Sequence, residues 1–564
     1  MPPSSTPSRR AETIAVIVIA AVVAVLAAVR CSMGVSFFDD SHYVTVSLRL
    51  AQGARPFADE MSMQSLGFLP AAAFTWLWTH LFGLTGLVMA FRLFYVVLAG
   101  AVATLAYRQL ARSFRPAVAA LAVTVPLLCP PFNLLAPGYN LMTSLGLLAA
   151  TALAHRALME RHVPAAAGAG VALVFASIVY PPMAVVCAVF VIVFAVLARD
   201  RRLVITMLAA AVIAAFVFVS ALFSVVSFAD FGRALAYSSA NVIRFASPLD
   251  KLGVTLNAAA ITLDLPALWP LWACAVLASL PKLPNKVRGV LLFALAPLAD
   301  LRGFQAVHGG ARVFGITASA WLITFVLGAV VPVSIWAFSS GRRGVRALLT
   351  LAIPVSIAGF TTVAFATDAG WIRVVEIIGI VPLSVAVLVG WASALEELWD
   401  DKLLALGALT ALVIALGMLY ATSIDDSRPR LMTAVMDHGA YVGMRMSPDR
   451  YRELVDMEAA GRRWVRPGDR VTFYGERQGY LLTGGQIYTN AVWLYLSPSD
   501  RFALDYFQQH GGLPDVIFAD EHGMRMRQQD DYRLTAPSNP LVAVLLANYH
   551  IVGHVDDFAV WVRR

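Results

Sequence analysis

Apolar stretches longer than the roughly 18 residues that suggest a membrane span recur along this 564-residue chain. The first, "ETIAVIVIAAVVAVLAAV" (12–29), holds no charge after Glu12, and runs of that kind read as helices crossing a bilayer. Composition agrees: 59% of the residues are hydrophobic and 14% charged, against roughly 25% charged in soluble domains. The fold class is therefore a polytopic α-helical membrane protein. A net charge of +8 is no nucleic-acid footprint, because the basic residues sit mainly in short loops between spans. Cys31, Cys129, Cys187 and Cys274 lie in or beside apolar segments, with no C-x-x-C spacing, so neither a disulfide framework nor a cysteine metal site is expected.

The loop charges set a topology. "YRQLARSFR" (107–115), "HRALMERH" (155–162), "RDRR" (199–202), "KLPNKVR" (282–288) and "GRRGVR" (341–346) are short and basic, and so cytoplasmic. Arg9 and Arg10 put the N-terminus on the same side, ahead of a retained first span. Between Arg10 and Arg108, however, lie three apolar stretches, 12–32, 66–83 and 87–106, where an even number of crossings is required. The middle one, "LGFLPAAAFTWLWTHLFG", is short, holds Pro70 and His80, and is rich in interface-seeking Trp and Phe. It is read as a helix lying in the outer membrane surface. "SHYVTVSLRLAQG" is read as a second such helix, N-capped by Asp40 or Ser41 and stopped at Gly53. Residues 33–86 thus form a large first external loop.

The alternation places further spans near 116–133, 138–155, 163–180, 182–198, 203–226, 266–281, 289–302, 316–338, 347–367, 374–395 and 403–421, about thirteen in all. One inner loop, "LEELWDDK" (395–402), is acidic against the pattern. The odd count puts the C-terminus outside. Residues 1–422 are expected to form the membrane domain and 423–564 an extracytoplasmic α/β domain. Within the latter, "SPDRYRELVDMEAAGRRWV" and "NPLVAVLLANY" read as helices, while "DRVTFYG", "PDVIFAD" and "HIVGHVDDFAVWV" read as strands. That domain is expected to cover the mouth of a site without carrying chemistry; its glycines form no G-x-G-x-x-G after a strand.

Polar residues converge on the outer face. The first loop brings Asp39, Asp40, His42, Arg49, Arg55, Asp59 and Glu60, and Arg92 opens the next span. "NLLAPGYN" adds Tyr139 and Asn140, "DLRGFQAVHGGAR" adds Asp300, Arg302, His308 and Arg312, and "TDAGWIRVVE" adds Asp368, Arg373 and Glu376. Arginines suit an anionic headgroup, and a carboxylate beside them suits proton transfer. Plainer readings stand beside each: Asp40 caps a helix, Arg92 snorkels to the interface, His42 lies on a helix surface, Asn140 starts a helix.

The acidic pair followed by Ser-His-Tyr, the surface helix and "GARPFADE" resembles the first external loop of GT-C superfamily membrane glycosyltransferases. Protein O-mannosyltransferases and aminoarabinose transferases to lipid A carry a similar D-[DE]-x-H-[FY]-like pattern just after the first span. The "W-x-x-LFG" ending at Gly83, the arginine in "FRLFYVV" and a C-terminal external domain are similar too.

The resemblance implies a bacterial plasma-membrane enzyme that moves a sugar from a polyprenyl-phosphate carrier to an acceptor hydroxyl on the outer face, with inversion. The acceptor is a lipid, a glycan or a protein, and no nucleic acid is involved. By the same resemblance Asp39 is the general base and Asp40 fills the second acidic position, where the O-mannosyltransferases have Glu. Arg92, Arg302 and Arg312 face the carrier phosphate. His42, Asp59, Glu60, Tyr139, Asn140 and His308 line the acceptor side or pocket. No cofactor is required, though a divalent cation is compatible with such acids. The competing class is a transporter or flippase for a lipid-linked or anionic substrate. Charges clustered at span ends, with no internal repeat, weigh against it.

Overall fold

The computed structural model describes residues 9–131, 134–242, 249–250, 252–253, 256–257, 266–308, 318–366, 377–398, 426, 429–475, 477–494, 500–520 and 540–564. Helix α1 (Arg9–Cys31) leads into α2 (Asp39–Ala51), a 3-10 turn (Met63–Phe68) and α3 (Leu69–Phe82). Six more helices follow: α4 (Leu87–Leu110), α5 (Pro116–Leu128), α6 (Tyr139–Glu160), α7 (Val163–Val179), α8 (Met183–Leu197) and α9 (Arg201–Phe223). Then come α10 (Phe228–Val242), α11 (Trp269–Ala278), α12 (Asn285–His308), α13 (Ala318–Ser339), α14 (Arg343–Ala366) and α15 (Val381–Leu398). Helices thus occupy the expected spans from 12–32 to 374–395, with ends shifted by a few residues. The span expected at 403–421 and the domain boundary at 422 lie outside the described residues.

Among the described residues, six helices are long and apolar enough to cross a membrane: α4, α6, α9, α13 from Trp321, α14 and α15. The chain is multi-pass. Ion pairs gather one end of this bundle. Arg115 at the start of α5 pairs with Glu12 of α1 and Glu396 of α15, and Arg342 before α14 pairs with Glu397. The acidic loop that broke the charge pattern thus neutralises arginines of neighbouring loops.

Helix α3 does not cross the bundle. Its 14 residues span about 21 Å, no shorter than α5 or α11, so length by itself does not set it apart from the crossing helices. Both of its ends meet the polar C-terminal region. Just before it, Met61 N–H donates to Asn490 O (2.7 Å), and just after it Gly86 N–H donates to Gly439 O (3.0 Å).

The C-terminal region contains helices α16 (Pro448–Trp464), α17 (Tyr480–Thr483), α18 (Asp500–Gln509) and α19 (Pro540–Asn548). A short antiparallel ladder joins β1 (Ala434–Val435) to β2 (Arg445–Met446). The main sheet uses β3 (Arg470–Tyr474), β4 (Gln486–Ile487), β5 (Val516–Asp520), β6 (Tyr549–Val555) and β7 (Phe558–Arg563) in the order β4-β3-β5-β7-β6. β3 pairs in parallel with β4 and β5, whereas β7 runs antiparallel to β5 and β6. The runs "VTFY" and "VIFAD" are continuous rather than alternating because β3 and β5 are buried on both faces. Phe473 stacks on Phe518 at 4.9 Å between centroids and meets Phe558 edge-on at 5.7 Å. Asp556 and Asp557 form the turn between β6 and β7.

The first loop and the C-terminal region are knitted by main-chain bonds. Arg445 N–H donates to Ser32 O (2.6 Å), Gly34 N–H to Arg445 O (2.8 Å), and Gln478 N–H to Phe37 O (2.9 Å). Phe37, only 1% exposed, lies under the guanidinium groups of Arg450 (5.2 Å) and Arg477 (5.6 Å). Full burial of such a ring contributes about 1.5–3 kcal/mol, and two cations over its face add to that. The residue two before Asp39 is thus clamped in the polar region.

Candidate active site

Helix α2 starts at Asp39 without a side-chain cap; Phe38 holds the cap position. The expectation that Asp40 or Ser41 caps the helix is thereby corrected. Ser41 Oγ donates instead to Gln478 O (2.8 Å), and Asp40 is drawn elsewhere by an ion pair.

Asp40 is fully buried and receives Arg92 through both oxygens, Nε to Oδ1 at 3.3 Å and Nη2 to Oδ2 at 2.6 Å. Arg92 also donates from Nη1 to Cys31 O (3.2 Å) and Met33 O (3.0 Å), and from Nη2 to Gly34 O (2.8 Å). A guanidinium has five N–H groups, and all five are engaged. Arg92 was expected to face the carrier phosphate; in this arrangement it has no donor left for one.

Asp39, 9% exposed, accepts from the Tyr43 hydroxyl at 3.2 Å, one turn along the same face of α2. Asn140 Nδ2 donates to that same hydroxyl at 3.4 Å. Burial and the Asp39 charge both push the Tyr43 phenol well above its usual pKa, so it stays a donor. Tyr139 lies edge-on to Tyr43 at 6.0 Å, and Tyr180 is tilted against Tyr139 at 5.5 Å. Gly138, just before α6, lets the rings meet: a Cβ there would sit 2.4 Å from the Tyr43 ring. Asp39, Tyr43, Tyr139 and Asn140 therefore form one cluster, contributed by the first loop and the start of α6.

His42 is 1% exposed. Its ring stacks on Trp493 of the C-terminal region at 3.9 Å and 14°, with Phe68 edge-on at 5.6 Å and Tyr43 edge-on at 5.9 Å. It does not lie on a helix surface.

Glu60 and Asp59 part company with this cluster. Glu60, fully buried, pairs with Arg49 at 2.6 Å and accepts from Val492 N–H at 3.0 Å. Arg49 also donates to Asp59 O (2.7 Å) and Thr489 O (2.6 Å). Burial pushes the Glu60 carboxyl up to about 7, against the opposing pull of Arg49 and the nearby N–H groups. The Asp59 side chain binds Arg55 and lies 3.7 Å from His510. Both acids brace the first loop against the C-terminal region. Arg302 and His308 fall on α12, where side chains are outside the described residues, and Arg312 is outside them altogether.

Clefts open on described residues away from this cluster. One, of about 700 Å³, is an apolar groove between α3 and α4 lined by Phe74, Trp78, Met89, Leu93 and Val442 among others. Another, about 540 Å³, lies between α8 and α14. Neither is lined by the Asp39 cluster. Among the described residues no group of three or more His, Cys, Asp or Glu side chains could hold a metal ion.

Tyr43 and Trp493 were missed as site residues, and Arg49, collected among the polar residues of the first loop, was given no role. Tyr43 had a signal, since it stands four positions after Asp39 and so on the same helix face. Arg49 was legible only as a charge in an apolar neighbourhood. Nothing local marks Trp493, some 450 residues from its partner His42 by direct count along the chain.

No protein-family model matches the chain, and no curated protein matches it. Solved structures do. ArnT from Cupriavidus metallidurans in the apo state is 14% identical over 98% of each chain, with a TM-score of 0.47. ArnT bound to undecaprenyl phosphate is 13% identical over 97% of this chain and 98% of that one, at 0.44. The apo Archaeoglobus fulgidus oligosaccharyltransferase is 10% identical over 90% of this chain and 70% of that one, at 0.42. With TM-scores under one half, the likeness carries no argument about chemistry, which rests on the geometry above.

Proposed function

We propose that the chain is a glycosyltransferase that moves a sugar from a polyprenyl-phosphate-linked donor to an acceptor hydroxyl on the outer face of the membrane. One observation carries the reading: the two neighbouring acids do different work. Asp40 is locked to Arg92, whose remaining donors hold the backbone of residues 31–34. Asp39, at the start of the helix so fixed, accepts from the Tyr43 hydroxyl, to which the Asn140 amide donates in turn, in an aromatic cluster. The first carboxylate is a base held in place; the second is part of its mounting.

In the reaction the Asp39 carboxylate takes the proton of the acceptor hydroxyl as its oxygen bonds to the anomeric carbon. The bond from that carbon to the phosphate oxygen breaks on the opposite face, with inversion. The leaving polyprenyl phosphate carries the electron pair away and needs no proton. Tyr43, held by Asn140, orients the base. Arg302 and Arg312 remain the proposed partners of the phosphate. The first loop and the C-terminal domain from about residue 423 lie on the extracytoplasmic side in this reading, with the N-terminus in the cytoplasm.

The test uses purified full-length protein, a radiolabelled polyprenyl-phosphate sugar and crude envelope acceptor. Label should pass to the acceptor with wild type and not with Asp39→Asn. Equal transfer by the two proteins sinks the assignment. Accumulation of donor across a vesicle membrane without transfer would favour transport instead.

A further inference from the structure

His42 lies one turn after Asp39 on α2, so both side chains leave the helix on neighbouring tracks of one face. Trp493 covers one flat side of the imidazole, and Phe68 and Tyr43 approach it edge-on. Phe68 and Tyr43 are in turn ring neighbours of Tyr139, which places His42 in the same aromatic enclosure as the proposed base. Neither imidazole nitrogen has a hydrogen-bond partner among the described residues, and both are shielded from solvent. A polar atom left unbonded in the interior costs about 1–3 kcal/mol. A phenylalanine would fill the same place without that cost. Burial also holds the ring neutral, its pKa pushed down to about 3.

We propose that His42 is a substrate-binding residue whose imidazole edge hydrogen-bonds a substrate hydroxyl during transfer. The inference rests on the transferase reading and adds to it the chemistry of the group recognised. A neutral imidazole offers one N–H donor and one nitrogen acceptor, and a hydroxyl offers the same complement. A phosphate offers only acceptors and a negative charge, which a buried neutral ring does not match. Stacking on Trp493 occupies the ring's face and leaves its edge, with both nitrogens, as the direction in which a partner can bond. The hydroxyl belongs either to the transferred sugar or to the acceptor.

The experiment compares His42→Phe and His42→Gln with wild type and Asp39→Asn, all full-length. It measures melting temperature and steady-state transfer from the polyprenyl-phosphate sugar to envelope acceptor. His42→Phe should melt no lower than wild type, because two unbonded nitrogens are gone, yet lose about tenfold or more in kcat/KM. His42→Gln, which keeps a donor and an acceptor, should recover part of that loss. A raised KM confined to the donor assigns the hydroxyl to the sugar; one confined to the acceptor assigns it there. Wild-type kcat/KM for both substrates in His42→Phe, while Asp39→Asn is inactive, overturns the proposal and leaves the transferase reading standing. A fall in melting temperature that parallels the activity loss in both His42 variants assigns the ring to packing and overturns it too. Full activity of Asp39→Asn defeats the general-base reading, and this inference with it.

Discussion

Arg92 grips both carboxylate oxygens of Asp40, 52 residues earlier in the chain, while its other N–H groups hold the carbonyls of Cys31, Met33 and Gly34. One guanidinium thereby ties the exit of α1, the start of α2 and the N-terminal end of α4 to a single point. Position at the N-terminal turn of α2 also favours the two carboxylates electrostatically.

Removing that grip should be costly. Arg92→Ala leaves Asp40 buried without its counter-charge, and about 3–5 kcal/mol of stability should be lost, read as a fall in melting temperature. Replacing the pair together, Asp40→Leu with Arg92→Met, should recover only part of it. The three backbone carbonyls lose their donors in either case. Full recovery by the double variant would show that the carbonyl contacts contribute nothing.

Asp39→Asn should lower transfer by roughly 10² or more while leaving the melting temperature close to wild type. Tyr43→Phe keeps the ring and removes the hydroxyl, so kcat should fall by about tenfold with little change in KM. A Tyr43→Phe enzyme of unchanged kcat would remove Tyr43 from the orienting role.

Gly138→Ala acts on the same contact through space alone. The added methyl lands 2.4 Å from the Tyr43 ring, well inside contact distance. Tyr43 must swing off Asp39, and activity should drop toward the Tyr43→Phe level or below it. Wild-type activity in Gly138→Ala would mean that the ring can yield without leaving the carboxylate.

The Glu60 carboxyl makes the brace to the C-terminal region pH-dependent. Its pKa in the folded chain is about 7 against an ordinary 4.5. Between those values the folded state holds more protons than the unfolded one, so stability falls as pH rises through that window, by up to about 1.4 kcal/mol per pH unit. Below 4.5 both states are protonated and the dependence vanishes. Glu60→Gln should flatten melting temperature against pH between about 4.5 and 7. An unaltered slope would place the titration on another group.

Much of this was legible along the chain. Helix positions follow from run length, and counting crossings between arginines sets α3 apart from the expected spans, because the bilayer imposes one thickness and one charge asymmetry on every loop. Strands at 470–474 and 516–520 and the helix at 448–464 came from short-range pattern alone. The cluster around Asp39, Tyr139 and Asn140 was legible because the topology read from the loop charges groups those loops together.

What the chain could not disclose is which polar group meets which. Asp39 and Asp40 are alike in type and adjacent in position, yet one faces Tyr43 and the other Arg92, since successive residues on a helix point about 100° apart. Arg92 looked free for a phosphate, and only the fold shows its donors already engaged. The His42–Trp493 stack and the bonds of Arg49 to Thr489 and of Val492 to Glu60 join segments separated by most of the chain, and long-range packing leaves no periodic trace. Local physics determined the elements; three-dimensional packing decided the partners, because a hydrogen bond depends on distance and angle rather than on order in sequence.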